Sequence, residues 1–238
     1  MRKKIVVTGG SGRFGKYLGN LKTKYKIFFP SKKEFNILNF KKVKKYLNSK
    51  KPNILIHLAG LSRPMSVHEQ NIEKSIDLNI IGTANITKIC ANQNIKLIYF
   101  STNYVYPGKK GNYRESDPLF PVNNYAWSKL GGEASVQLYK NSLILRVCMT
   151  EKPFVHKKAF ANVKTSFIYH EEAAKILFKL LNKKGVINIG GKSQTIYNFA
   201  KKDNHKIKKI YLKRNSSSIM PFNSSMNLSK LKKNIKKK

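Results

Sequence analysis

A chain of 238 residues is long enough for one α/β domain with a sizeable core and a small appendage. Its 48 basic and 11 acidic residues leave a formal charge of +37, a field that draws in anionic ligands and is screened by salt. The basic residues are overwhelmingly lysine, spread evenly beside abundant Asn and Ile (all with AT-rich codons), so biased composition rather than a specific nucleic-acid partner is the expectation. No apolar run reaches the length of a membrane span, the charged start leads into too short an apolar run for a signal peptide, and the two cysteines, far apart in sequence, fit no metal or redox spacing.

In chain order, Ile5–Val7 is a β-branched run suited to a strand buried on both faces. Glycines follow at Gly9, Gly12 and Gly15, then Phe14, Tyr17, Leu18 and Leu21 recur at helical spacing. Strand, glycine turn and helix together hold phosphate: glycines let the backbone approach closely, and the helix start offers free N–H groups. Gly10–Lys16 also fits the opening of a P-loop, but Tyr17 stands where the magnesium-binding hydroxyl belongs, which favours a dinucleotide over a triphosphate. A second strand over 25–29 ends at Pro30-Ser31-Lys32-Lys33. In this arrangement its tip meets the adenosine ribose; Ser31 and Lys32 stand where an acid would select NAD, and Glu34 comes slightly late, so NADP is preferred to NAD.

A helix is expected over 42–47, then a buried strand ending in Ala59-Gly60, whose His57 reads as a packed, hydrogen-bonded histidine. Ile72, Ile76, Ile80 and 83–86 mark a long helix. Cys90 and Cys148 each sit in an apolar pattern, as buried thiols do in a reduced, cytoplasmic setting. A fourth strand over 95–100 leads into Ser101-Thr102-Asn103-Tyr104, and 23 residues after Thr102 comes Tyr125, with Lys129 four further on, on one helix face. A fifth strand spans 143–147, an amphipathic helix carries Ala173, Ile176, Leu177, Leu180 and Leu181, and a late strand spans 186–189. The Lys-rich run at the end is read as a solvated tail.

The glycine spacing Thr8-Gly9-x-x-Gly12-x-x-Gly15, with Ala59-Gly60, Asn79-x-x-Gly82-Thr83 and Tyr125-x-x-x-Lys129 in that order, resembles the extended short-chain dehydrogenase/reductase family. Ser101-Thr102-Asn103-Tyr104-Val105-Tyr106-Pro107-Gly108, Ser128 to Glu133 and the polar stretch Pro221-x-Asn223-Ser224-Ser225-Met226 are similar to its dTDP-4-dehydrorhamnose reductase branch. The resemblance is sharp from 4 to 146 and patchy beyond.

The resemblance implies an α/β, Rossmann-type doubly wound parallel sheet with a small C-terminal substrate-binding region. It divides the chain into a cofactor-binding core over 1–147 and a mainly substrate-binding part over 148–238, with the tail from about 232. It implies that Gly9, Gly12, Arg13, Phe14, Gly15, Ser31, Lys32, Asn36, Ile37, Ala59, Gly60, Leu61, Asn79 and Lys129 contact NADP or NAD. Tyr125, Lys129 and Thr102 would be catalytic, and Thr102, Asn103 and Met149 would meet a nucleotide-sugar substrate. Asn103 replaces the branch's usual Asp, and Asn36 an acid that flanks the adenine. Asn103-Tyr104 also lacks the Asp-Glu pair of sugar-nucleotide dehydratases, which disfavours dehydration. Reduction of a nucleotide-linked 4-keto sugar is the expected activity. An NAD-dependent nucleotide-sugar epimerase and a non-catalytic, NADP-binding regulatory subunit, as in methionine adenosyltransferase, stay open, and a homodimer is compatible with the resemblance.

Overall fold

A computed structural model describes residues 2–213 and 220–236. The elements run in order β1 (Lys4–Thr8), α1 (Arg13–Gly19), β2 (Lys26–Phe28), α2 (Phe40–Lys50), β3 (Ile54–His57), α3 (Val67–Gln70), α4 (Ile72–Ser75), a π-helical turn (Ile76–Ile81) and α5 (Gly82–Asn92). Then come β4 (Lys96–Thr102), a 3₁₀ turn (Asn103–Val105), α6 (Asn124–Gln137), β5 (Ser142–Val147), β6 (Met149–Thr150), β7 (Lys158–Phe160), β8 (Lys164–Thr165) and β9 (Ile168–Tyr169). The chain continues through α7 (His170–Leu180), β10 (Gly185–Ile189), β11 (Gln194–Thr195), α8 (Ile196–Ala200), β12 (Lys208–Ile210) and α9 (Ser229–Lys236). Six strands form one sheet in the order β10-β5-β4-β3-β1-β2. The pairs β1–β2, β1–β3 and β3–β4 are parallel. The reversal of strand order at β1 is that of a Rossmann-type, doubly wound fold, whose ligands bind beyond the carboxyl ends of the strands.

The chain forms two compact units. The first comprises 1–101, 128–144 and 181–185; the second comprises 102–127, 145–180 and 186–238. In the first, Ile5, Val6, Val7, Leu55, Ile56, Leu97 and Ile98 are wholly buried. These β-branched and leucine runs are what a strand covered on both faces requires. Amphipathic α2 buries Val43 and Leu47 and packs against α5. In the second, two-stranded pairs β6–β9, β7–β12 and β8–β11 surround a core that includes Phe154, Val163, Ile196, Phe199 and Ile207.

Two expectations need correction, and the long helix expected from Ile72 onward forms with a polar inward face. Helix α1 stops at Gly19, so Leu21 lies beyond it and only half-buried. In the helical stretch 72–92, Ile72 and Ile76 are 56% and 42% exposed, while Ser75, Asn79, Thr83 and Ile86 are buried. The inward face is polar there because its side chains make specific hydrogen bonds, and the π turn, with its extra residue, rephases the helix. The Lys-rich end is no loose tail through residue 236. Helix α9 buries Leu231 and packs on α7, with Lys232 and Lys233 facing water; residues 237 and 238 of the expected tail lie outside the described residues.

Candidate active site

In the first unit the site is built where β1 and β3 end. Gly9 has φ +71°, a conformation in which an L side chain is strained, and a Cβ there would lie 2.7 Å from the Ala59 nitrogen. A Cβ on Gly15 would lie 2.4 Å from the Gly9 carbonyl oxygen. The turn therefore closes only with glycine at these positions. Gly12 caps α1 without a side-chain hydrogen bond, and the first turn of α1 carries no acid. Phe14 is buried with its ring 5.3 Å from that of Phe100, whereas Arg13 is exposed.

Thr8 ties the two strand ends together. Its Oγ1 accepts the Ala59 N–H at 3.1 Å and lies 2.8 Å from His57 Nδ1. His57 Nε2 lies 3.1 Å from Thr83 Oγ1. With Thr8 donating to Nδ1, the Nε2–H donates to Thr83 and both ring nitrogens are satisfied. Burial pushes the His57 pKa down to about 3, with the positive charge of Lys129 adding to the effect. A proton-holding catalyst needs a pKa near its working pH, so this imidazole is the packed, neutral group the sequence suggests.

Asn79 projects from the π turn and clamps the segment after β3. Its Oδ1 accepts the Leu61 N–H at 2.7 Å, and its Nδ2 donates to the Leu61 carbonyl at 2.9 Å and to Ser128 Oγ at 2.8 Å. Gly60 is required beneath it, since a Cβ there would lie 2.7 Å from Asn79 Oδ1. At the tip of β2, the Ser31 N–H and Oγ both donate to Glu34 Oε2, at 2.9 and 2.8 Å. These bonds, the backbone one foremost, hold the Glu34 carboxyl below its ordinary range. The late acid is thus folded back onto Ser31, while Lys32 is exposed. Asn36 Oδ1 accepts the Leu38 N–H at 3.1 Å, and the carbonyl of buried Ile37 accepts from Asn85 Nδ2 at 3.1 Å.

Helix α6 carries Tyr125, Lys129 and Glu133 at intervals of four, on one face. Lys129 is buried, its ammonium 4.2 Å above the Tyr99 ring. Tyr99 in turn donates its hydroxyl to the Lys129 carbonyl at 3.1 Å. Burial pushes the Lys129 pKa down to about 7, and the charge of Glu133 opposes that fall. Gly132 lets α6 come this close: a Cβ there would lie 2.4 Å from the Asn79 carbonyl oxygen and 2.7 Å from Tyr99 Oη. Ser101 and Glu133 were not singled out as site residues from sequence. The signal was present in the four-residue step from Lys129 to an acid on an otherwise apolar face.

The second unit holds Thr102, Asn103, Tyr125 and Met149. Thr102 Oγ1 accepts the Tyr104 N–H at 3.2 Å and caps the 3₁₀ turn. The Tyr125 ring stands edge-on to Tyr104, centroids 6.3 Å apart. Asn103 is buried, and its Nδ2 donates to Ser224 Oγ at 2.8 Å and to Thr165 Oγ1 at 3.2 Å. An Asp could not make these donations, which gives the departure from the branch's usual residue a structural reason. Met149 is half-buried in β6 beside Ile168. Cys90 and Cys148 are both buried; burial pushes the first thiol up, and the second up to about 12, so neither is a thiolate at neutral pH. Among the described residues no group of three or more His, Cys, Asp or Glu side chains could hold a metal ion. Among them, too, no helix is long and apolar enough to cross a membrane.

Residues 2–151 match the RmlD substrate binding domain family. The chain belongs to that family. Over 152 residues it is 28% identical to a dTDP-4-dehydrorhamnose reductase of Aggregatibacter actinomycetemcomitans, covering 62% of this chain and 51% of the relative. Over 113 residues it is 36% identical to methionine adenosyltransferase 2 subunit beta of Xenopus laevis, covering 47% of this chain and 34% of that protein. This RmlD-family chain thus spans about half or less of the curated relatives it matches. The crystal structure of dTDP-4-dehydrorhamnose reductase from Bacillus anthracis in complex with NADP superposes with a TM-score of 0.87 at 23% identity, over 98% of this chain and 93% of that one. That likeness establishes the shared Rossmann-type fold.

Proposed function

We propose that this RmlD-family chain is an NADPH-dependent reductase of a nucleotide-linked 4-keto sugar. The observation that carries the reading is α6, which presents Tyr125 and a buried Lys129 one helical turn apart. The residues of the first unit fit a dinucleotide. Gly9, Gly12 and Gly15 leave a turn free of side chains for a pyrophosphate, Ala59, Gly60 and Leu61 border it with backbone held by Thr8 and Asn79, and Lys129 would hold the nicotinamide ribose. Ser31 and Lys32 favour NADPH over NADH through a hydroxyl and a positive charge at the β2 tip. When bound, the reduced nicotinamide supplies the hydride.

The remaining chemistry belongs to the side chains. A carbonyl that gains a hydride becomes an alkoxide and needs a proton. Tyr125 donates it. A free phenol titrates near ~10, and the Lys129 ammonium stabilises the phenolate left behind, making the donor stronger. Thr102 steadies the substrate oxygen, and Met149 with the segments after β5 contacts the sugar. The partition into a cofactor part over 1–147 and a mainly substrate-binding part over 148–238 is part of this proposal.

Similarity to a methionine adenosyltransferase subunit favours a second reading, a non-catalytic NADP-binding partner protein. One assay separates them. Purified protein is mixed with NADPH or NADH and a panel of nucleotide-diphospho-4-keto sugars, and absorbance of the reduced nicotinamide is followed. A reductase oxidises NADPH, and Tyr125→Phe lowers kcat by about a hundredfold or more while leaving cofactor affinity nearly unchanged. Cofactor binding without turnover on any sugar overturns the reductase reading in favour of the subunit or of an epimerase that holds its own NAD.

A further inference from the structure

We propose that Glu34 sets the preference between NADP and NAD: its carboxylate occupies the two Ser31 donors that a 2′-phosphate needs, so NADP binds only by displacing it. The proposal deepens the dinucleotide reading on which the reductase rests. Its grounds lie within the first unit, at the tip of β2. The tip abuts the glycine turn, since a Cβ on Gly10 would lie 3.0 Å from the side chain of Phe29, two residues before Ser31. There the Ser31 N–H and Oγ–H both donate to one carboxylate oxygen of Glu34, at 2.9 and 2.8 Å. Two donors converging on an anionic oxygen make the contact that a phosphate oxygen also takes. Here the chain's own anion fills it.

The turn does not depend on that carboxylate. The Ser31 carbonyl accepts the Glu34 and Phe35 N–H groups at 3.1 and 2.9 Å, which closes the backbone by itself. Phe35 and Ile37 are buried behind it, and the Phe35 ring stands edge-on to Tyr46, centroids 5.3 Å apart. Glu34, by contrast, is exposed together with Ser31, Lys32 and Lys33. A carboxylate held in water by two hydrogen bonds is weakly held and exchanges readily. It cannot share the site. A phosphomonoester carries a charge of about −1.5 to −2 at pH 7, and it would meet the carboxylate over the same two donors. Exchange places the larger anion on the turn that carries Lys32 and Lys33. With NAD no exchange is needed, because the seated carboxylate still offers lone pairs to a ribose 2′-hydroxyl. Glu34 thus favours NAD, against the preference of Lys32 for NADP.

Binding tests this without turnover. NADP⁺ and NAD⁺, which differ only by the 2′-phosphate, are titrated into the full chain by calorimetry at one salt concentration. In Glu34→Ala the Kd for NADP⁺ should fall by about fivefold or more, while that for NAD⁺ stays or rises. Glu34→Gln, which keeps the size and loses the charge, should shift the ratio the same way by less, and it serves if the alanine variant does not fold. In a Ser31→Ala background the gain from Glu34→Ala should shrink, because the hydroxyl under competition is gone. An undiminished gain there marks the simple loss of a repelling charge and overturns the exchange. Equal weakening for both dinucleotides with lower thermal stability also overturns it, since that is the result for a carboxylate that only holds the turn. If the unsubstituted chain binds neither dinucleotide, the cofactor reading falls and this proposal with it. If it binds both in a ratio that Glu34→Ala leaves unchanged, the cofactor reading stands and the role of Glu34 alone is removed.

Discussion

His57 shows at a single residue how burial sets chemistry. Its ring bridges Thr8 and Thr83, and its folded pKa of about 3 lies far below the 6.5 of an exposed histidine. Between those two values the unfolded chain binds a proton that the folded chain refuses, so stability falls as pH drops from 6.5 toward 3. Above 6.5 both states are neutral and the contribution is constant. From pH 7 to pH 5 the loss is about 2 kcal/mol. His57→Gln, which can still bridge two hydroxyls, should show a correspondingly smaller loss over that interval. Urea unfolding of both proteins at pH 7 and pH 5 measures the difference and cancels the carboxylates, such as Glu34, Asp117 and Glu171, that are also held below their ordinary range.

Among the elements, α9 makes the sharpest demand on its sequence. Leu231 anchors a short helix whose other positions are mostly lysine and asparagine. Leu231→Ala should lower stability by about 2 kcal/mol, read from the denaturant midpoint at unchanged slope. That helix was not legible in advance because its lysines hide the spacing of Leu231 and Ile235. The first strand, the glycine turn and the Tyr125–Lys129 step were legible, since each is a local pattern with one physical solution. Ile72 and Ile76 mark the helix but not its inward face. A hydrophobic stripe marks the inward face only where the inward face is apolar, and Asn79 must face inward to hold Leu61 and Ser128. The partners of Asn103 could not be read at all, because Ser224 is 121 residues away.

For the whole molecule, charge dominates. A formal charge of +37 is offset by acidic partners at only some sites, for example Lys110–Asp117 at 3.3 Å and Lys152–Asp203 at 3.9 Å. Self-repulsion on this scale destabilises the compact state and is screened once the Debye length shrinks. Raising sodium chloride from about 0.05 M to 0.5 M should increase Tm by several degrees in a thermal melt, where a protein of balanced charge would move little. The closing segment of the second unit carries a consequence of another kind. The turn after β4 is held by residues made far later: Asn103 by Ser224, Asn112 by Ser225, and Tyr113 by the backbone of Ser225 and Asn227. On the ribosome, therefore, the turn that bears Asn103 emerges long before its partners and acquires its final shape only after they have been translated.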